Sequence, residues 1–331
     1  MPRAQRKKQI EELESLRGRR VISYVTGDRQ PNLGAQIAPD VFPLVHNLLA
    51  GTDHAASLDL FIYSTGGMTM AAWGLMNILR EFADSISVLI PYRALSTATL
   101  IALGANEIVM SRLGQLSPVD PSVNTPFNPP ASQAGLFLPV SVEDVRGFLD
   151  LAREEVGLKD MQSLASVFSL LAADVKPMAL GNVYRAKEQI KLLTEKLLRL
   201  HIPDSSKERI GPIVETFTRK LFSHDYLIGR REAKDILGPE VVDASPEVEK
   251  AMMGLFDSYA SDLELNTSFV QEGVLGKDNR KVVTAKRAYV ESSDKSYLFR
   301  TVIELRRVQP QQPMAAINLG VLEEGWIPDP V

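Results

Sequence analysis

The chain contains no cysteine. Disulfides, thiolate nucleophiles and cysteine-ligated metals are therefore excluded. Histidine is scarce, with four residues, His46, His54, His201 and His224, in 331. No apolar run approaches the roughly 18 to 20 residues that a membrane helix needs. The first residues, MPRAQRKKQIEELESLRGRR, are charged where a signal peptide would carry its apolar stretch. Neither sign of charge dominates: 37 Lys and Arg against 41 Asp and Glu leave a net charge of -4. That balance gives no general reason to expect nucleic acid as a partner. No GxxxxGK[ST] nucleotide loop and no metal-ligand set occur, so no cofactor or metal is expected. With 45% hydrophobic and 24% charged residues, the composition is that of a soluble globular protein. The expected compartment is cytoplasmic.

Short apolar runs alternate with amphipathic stretches along the first half. Residues 21–25, 58–63, 85–90 and 107–110 read as strands, and 39–49, 70–82 and 97–103 as helices. Continuous apolar strands alternating with helices predict an α/β fold with a parallel sheet covered on both faces. Such a sheet places its working residues in the loops at the carboxyl ends of the strands. Residues 122–140, rich in proline and asparagine, read as a surface loop. Helical patterns follow at 141–156, 160–173 and 179–200, the last bounded by Pro177 and Pro203. Another helix is expected over 246–265. Residues 281–291 and 297–308 alternate as a β-hairpin joined by SSDKS, and 309–313 read as a linker before the tail. The expected domains are an N-terminal helical arm (1–20), a main α/β domain (21–245), and a helix plus β-hairpin extension (246–331). The arm carries Ile10, Leu13 and Leu16 as a thin stripe. It reads as a solvated helix, with peripheral contact to an anionic membrane surface as the alternative.

Two loops carry the unusual residues. Ser64-Thr65-Gly66-Gly67 follows the strand LDLFIY and precedes a helix. Two glycines let the backbone turn sharply and present amide hydrogens near a helix start, which suits a phosphate, a carboxylate or an acyl-transfer oxyanion. The same sequence also makes a plain tight turn. The second loop, Tyr92 to Thr99, follows the strand SISVLI and precedes the apolar run LIALGA. Ser96 there sits where a nucleophile elbow would place its serine. It also sits where a serine simply caps a helix.

The two loops and their context resemble the serine peptidases of the Clp protease and crotonase fold. The branch most similar contains signal peptide peptidase A and the serine dehydrogenase proteinases. Its S/T-x-GG turn, its A-x-S-A-G-T nucleophile segment, "ADEIVM" and "LGPIDP" are matched here by STGG (64–67), ALSTAT (94–99), ANEIVM (105–110) and LSPVDP (116–121). FSHDYLIGRREAKDILG (222–238) is similar to the family's closing block. The resemblance spans roughly 20–243 and leaves the C-terminal residues uncovered. It implies a Clp/crotonase-like parallel sheet with flanking helices, plus a small C-terminal β-rich extension. It also implies Ser96 as nucleophile, an oxyanion hole from the amides of Gly66 or Gly67 and of Thr97, and a homo-oligomer. One departure is Ala98, where the family has glycine.

A serine hydroxyl needs a base. No histidine follows Ser96 before His201, so a Ser-His-Asp triad in the usual chain order is not expected. The resembling branch uses a lysine in a Gly-x-Tyr-Lys context. The matching segment here, Gly181 to Glu188, has Arg185 at the aligned position, and arginine is not a base. Lys176 and Lys187 flank it and are the candidate bases; both also read as ordinary solvated side chains. His224, Asp225, Arg230 and Glu232 read as a structural ion-pair and capping cluster, and Asp120 as a turn cap. Trp73, Met68, Met70 and Met76 read as core, with a substrate groove as the alternative. The expected function is a serine peptidase cutting unfolded or exposed polypeptide. Its alternatives are an inactive scaffold, marked by Arg185, and an acyl-CoA enzyme using only the oxyanion turn.

Overall fold

The computed structural model describes residues 3–31, 33–120, 122–131, 137–221, 223, 225–308 and 316–329. The chain divides into two compact units. One comprises Met1–Leu116 with Ile228–Val331, the other Ser117–Leu227.

The first unit is built on an eight-stranded sheet. Helix α1 (Arg3–Arg17) leads into strand β1 (Arg20–Thr26), then α2 (Phe42–Leu49), β2 (Ala55–Tyr63), α3 (Thr69–Arg80), β3 (Ala83–Ile90), α4 (Thr97–Leu103) and β4 (Glu107–Met110). After the second unit the chain returns with α5 (Arg230–Leu237), β5 (Val241–Asp243) and α6 (Pro246–Asp262). The last strands are β6 (Arg280–Glu291), β7 (Ser296–Val308) and β8 (Ala316–Pro328). The strand order is β8-β7-β6-β1-β2-β3-β4-β5. Strands β1 to β5 run parallel, in registers such as Val25 opposite Tyr63 and Leu60 opposite Val88. Their β-branched and aromatic residues are buried because helices cover the sheet. Residues Ile10 and Leu13 of α1 and Val248, Met252, Leu255 and Tyr259 of α6 join one core cluster with Val25, Phe61, Leu89 and Val109. Helix α3 buries Ala71, Ala72, Leu75, Met76 and Leu79 and packs against α4.

The expected parallel α/β sheet is present, and the C-terminal hairpin extends it. Strand β6 pairs antiparallel with β1, Thr26 lying opposite Ala288. Strand β8, which the sequence reading passed over as tail, pairs with β7. The domain boundaries drawn at 20/21 and 245/246 therefore do not coincide with the compact units. Backbone pairing ties the last segment into the sheet, and buried charge ties in the first.

That charge is Arg6, 1% exposed. Its guanidinium bonds Glu291 at 2.8 Å, Asp262 at 2.7 Å and Asp329 at 2.9 Å. The rings of Tyr289 and Tyr259 lie 4.1 and 5.5 Å away. Burial by itself would lower the Arg6 pKa; hydrogen bonding to Glu291 and its charge outweigh that and hold it above the ordinary value. Arg3 is also buried and donates to the Ser292 carbonyl at 2.5 Å. The stretch read as a solvated basic arm thus directs Arg3 and Arg6 inward.

The second unit is mostly helical, with α-helices at 142–150, 161–174, 177–198 and 210–215. Val140, Val142 and Val183 form a small core there. Helix 177–198 begins at a proline, and Lys176 before it lies outside the helical region (φ -34°, ψ 142°), as the clash with a following proline ring requires. Among the described residues no single helix is long and apolar enough to cross a membrane. Helices 161–174 and 177–198 pass that test only as a pair bent by 103°.

Candidate active site

The loops leaving β2 and β3 lie side by side at the carboxyl ends of the parallel strands. Ser64 N–H donates to the Arg93 carbonyl and Leu95 N–H to the Ser64 carbonyl, both at 3.0 Å. This short parallel bridge brings the glycine turn against Ser96. A methyl group placed on Gly66 would lie 2.8 Å from Ser96 Cβ and 3.2 Å from its Oγ. One placed on Gly67 would lie 2.2 Å from the Ile37 carbonyl oxygen. The Ser96 side chain at Gly66 and the Ile37 backbone at Gly67 leave no room for a Cβ.

Ser96 itself has φ 53° and ψ -113°. Among the described residues it shares positive φ with only one other non-glycine residue, Glu264. Such a conformation costs on the order of 1 to 3 kcal/mol and persists only where the surroundings impose it. The sharp strand-to-helix turn that presents a nucleophilic serine has this kind of strain. Ser96 occupies the N-cap position of α4, yet its side chain makes no capping hydrogen bond. It is half-buried at the surface of the turn. Ala98 is helical and keeps φ negative, so alanine in place of glycine imposes no strain there.

Hydroxyl groups brace the turn. Ser64 Oγ accepts from Gly66 N–H at 3.0 Å and from Thr26 Oγ1 at 2.7 Å. Thr97 Oγ1 donates to the Gly67 carbonyl at 2.7 Å, and Thr99 Oγ1 to the Ala94 carbonyl at 2.8 Å. The Gly66 amide is thereby engaged internally. The N–H groups of Gly67 and Thr97 have no acceptor among the described residues. Arg93 pairs with Asp28 at 3.2 Å, and Tyr63 donates to Asp28 at 2.8 Å. Burial, then the Asp28 charge, pushes the Tyr63 phenol well above its ordinary pKa, so it stays protonated. Beside Thr65 a cleft of about 480 Å³ opens, lined also by Gln36, Asp40, Phe299 and Trp326.

The structure thus brings Ser96, Gly66, Gly67 and Thr97 together. Lys176 and Lys187 belong to the second unit. Both are exposed, one before helix 177–198 and one on it. Arg185 is also exposed and bonds Asn182. His54 lies at the amino ends of the strands, 2.9 Å from Asp84, whose hydrogen bond raises its pKa. That is the opposite end of the sheet from Ser96. His46 packs edge-on against Phe82, and His224 lies outside the described residues. Arg230 pairs with Asp243 at 2.9 Å, in keeping with a structural role. Asp120 accepts from Ser141. Of the methionines read as core, Met76 is buried, whereas Met68 and Met70 are exposed. No group of three or more metal-ligating side chains occurs among the described residues. Thr26 and Asp28 were missed in the sequence because their partners lie 35 to 65 positions away.

Residues 2–134 match the ClpP-like SDH-type serine proteinases. The match contains both loops and the parallel strands β1 to β4 of the ClpP-like sheet; it ends before β5 and the 222–238 block. Two uncharacterized proteins of Methanocaldococcus jannaschii are similar to the chain. One is 28% identical over 199 residues, 60% of this chain and 58% of the relative. The other is 32% identical over 122 residues, 34% of this chain and 41% of the relative. The chain therefore matches less than two thirds of the length of either. The solved structure of the 1510-N membrane-bound stomatin-specific protease, a serine-to-alanine mutant, aligns with 63% of this chain and 75% of its own. Its identity is 17% and the TM-score 0.35.

Proposed function

We propose that the protein is a serine peptidase of exposed or unfolded polypeptides, working through an acyl-enzyme on Ser96. The observation that carries this reading is the backbone of Ser96, held at φ 53° against a glycine turn, with the N–H groups of Gly67 and Thr97 having no acceptor among the described residues. Ser96 Oγ attacks the scissile carbonyl and gives its proton to a neutral amine, for which Lys176 and Lys187 are the candidates. The carbonyl oxygen becomes an oxyanion that receives hydrogen bonds from Gly67 N–H and Thr97 N–H. Gly66, whose amide is already bonded to Ser64, serves as the close-approach residue. The protonated base then returns its proton to the leaving amine, and water hydrolyses the ester. The working form is a homo-oligomer.

Labelling by a fluorophosphonate tests the reading. Wild-type protein should be labelled at Ser96, and Ser96→Ala should lose labelling and casein cleavage by several orders of magnitude, since the nucleophile itself is gone. Of Lys176→Ala and Lys187→Ala, the true base should approach the effect of the serine change. Its replacement by arginine should be as damaging, because guanidinium stays protonated. Absence of labelling in the wild type would favour the scaffold reading, which Arg185 at the aligned lysine position motivates.

A further inference from the structure

The peptide planes of the glycine turn are held from two sides. On one side Ile37 N–H donates to the Gly66 carbonyl at 2.9 Å, and the Ile37 carbonyl accepts Met68 N–H at 2.8 Å. In a trans peptide the C=O and N–H point in opposite directions. With the Gly66 carbonyl turned to Ile37, the Gly67 N–H must point away from it. With Met68 N–H turned to Ile37, the Gly67 carbonyl must also point away. That carbonyl is met by Thr97 Oγ1 at 2.7 Å, from a side chain with no exposed surface. One hydrogen bond therefore joins the two residues whose N–H groups are free for an oxyanion.

We propose that the Thr97 hydroxyl is a positioning group for the oxyanion hole, an inference that rests on the serine-peptidase reading. It acts through Gly67 rather than on substrate. By satisfying the Gly67 carbonyl it fixes the tilt of the turn and the separation of the Gly67 and Thr97 amides. Without it, a carbonyl oxygen lacking its donor would carry partial negative charge beside the developing oxyanion, where donors are wanted.

The test is the second-order rate of Ser96 labelling by a fluorophosphonate, whose addition also places an anionic oxygen in the hole. Thr97→Val keeps the shape and removes the donor. It should slow labelling about tenfold, the rate equivalent of one buried hydrogen bond, with circular dichroism unchanged. Thr97→Ser restores the hydroxyl and should label within about threefold of wild type. Should Thr97→Val fail to fold, Thr97→Ala makes the same comparison with the same expectation. Wild-type rates in the folded variant lacking the hydroxyl overturn the proposal. So does a Thr97→Ser variant as slow as that one, because the hydroxyl is then not the operative group. Failure of the wild type to label is a different result, which sinks the peptidase reading instead.

Discussion

At the glycine turn the chain tolerates no Cβ, for two separable reasons. Gly66 has φ 125°, which L-residues rarely adopt, and faces Ser96. Gly67 has φ 158°, and its obstacle is the Ile37 backbone itself. Flexible side chains yield to a new methyl; backbone bonded into a bridge does not. Gly67→Ala should therefore lower stability by about 2 kcal/mol or more and abolish fluorophosphonate labelling. Gly147→Ala is the control. It lies in helix 142–150 with nothing within 4 Å of a new methyl. The change should leave labelling intact and raise stability by up to about 1 kcal/mol. Urea melts read both, and equal effects would remove the steric argument. At this scale the sequence was informative, because STGG and the serine before an apolar helix are contiguous signals. Thr26 and Asp28 left no such trace, since they reach the site only through the parallel pairing of β1 with β2.

Among the elements, α1 departs furthest from its expected character. Its Arg-rich start resembles an exposed arm, and nothing local reveals that Glu291, Asp262 and Asp329 converge on Arg6. Ion partners 256 to 323 positions away cannot be read from periodicity. Strand β8 was missed for a related reason. Its pattern AINLGVLEEGWIP has two glycines and paired glutamates, and pairing with β7 supplies the order that composition does not. Removing one partner of a buried pair leaves the other charge uncompensated. Arg6→Ala should thus cost roughly 3 to 5 kcal/mol by urea unfolding, whereas Lys7→Ala, at the partly exposed Lys7–Glu11 pair, should cost under about 1 kcal/mol. The network also sets a pH dependence. Burial would raise the Asp262 pKa, but hydrogen bonds from Lys286 and Tyr289 and the charges of Lys286 and Arg6 prevail and lower it. A depressed carboxylate stabilises the fold above its unfolded pKa and loses that contribution as pH falls through its folded one. Wild-type protein should therefore lose more stability between about pH 5 and pH 3 than Asp262→Asn does.

For the molecule as a whole, the sheet accounts for the first unit, while the second leaves apolar surface uncovered. Helix 161–174 buries none of its residues, with Met161, Phe168 and Leu170 exposed by 84%, 53% and 66%. Helix 177–198 adds exposed Met178, Tyr184 and Leu192. An exposed apolar patch of this kind is the sort of surface that a protein or membrane contact covers. The sequence shows these residues as a helical pattern but does not tell which face is covered, because coverage by another copy leaves no mark on periodicity. If a second copy of the chain covers it, light scattering at micromolar concentration should give a mass at a multiple of 36.5 kDa. The double change Phe168→Glu with Leu170→Glu should return it to 36.5 kDa, since buried carboxylates without partners oppose association. Far-ultraviolet circular dichroism should stay unchanged, because both residues are exposed in the single chain. A wild type that is already monomeric would end the oligomer proposal. The same variant also bears on catalysis. Should fluorophosphonate labelling of Ser96 fall in step with the mass, a neighbouring copy contributes to the site, and Lys176 and Lys187 must then be tested by mixing subunits. In that experiment Ser96→Ala and each lysine variant, both inactive alone, should regain labelling when combined if serine and base come from different copies.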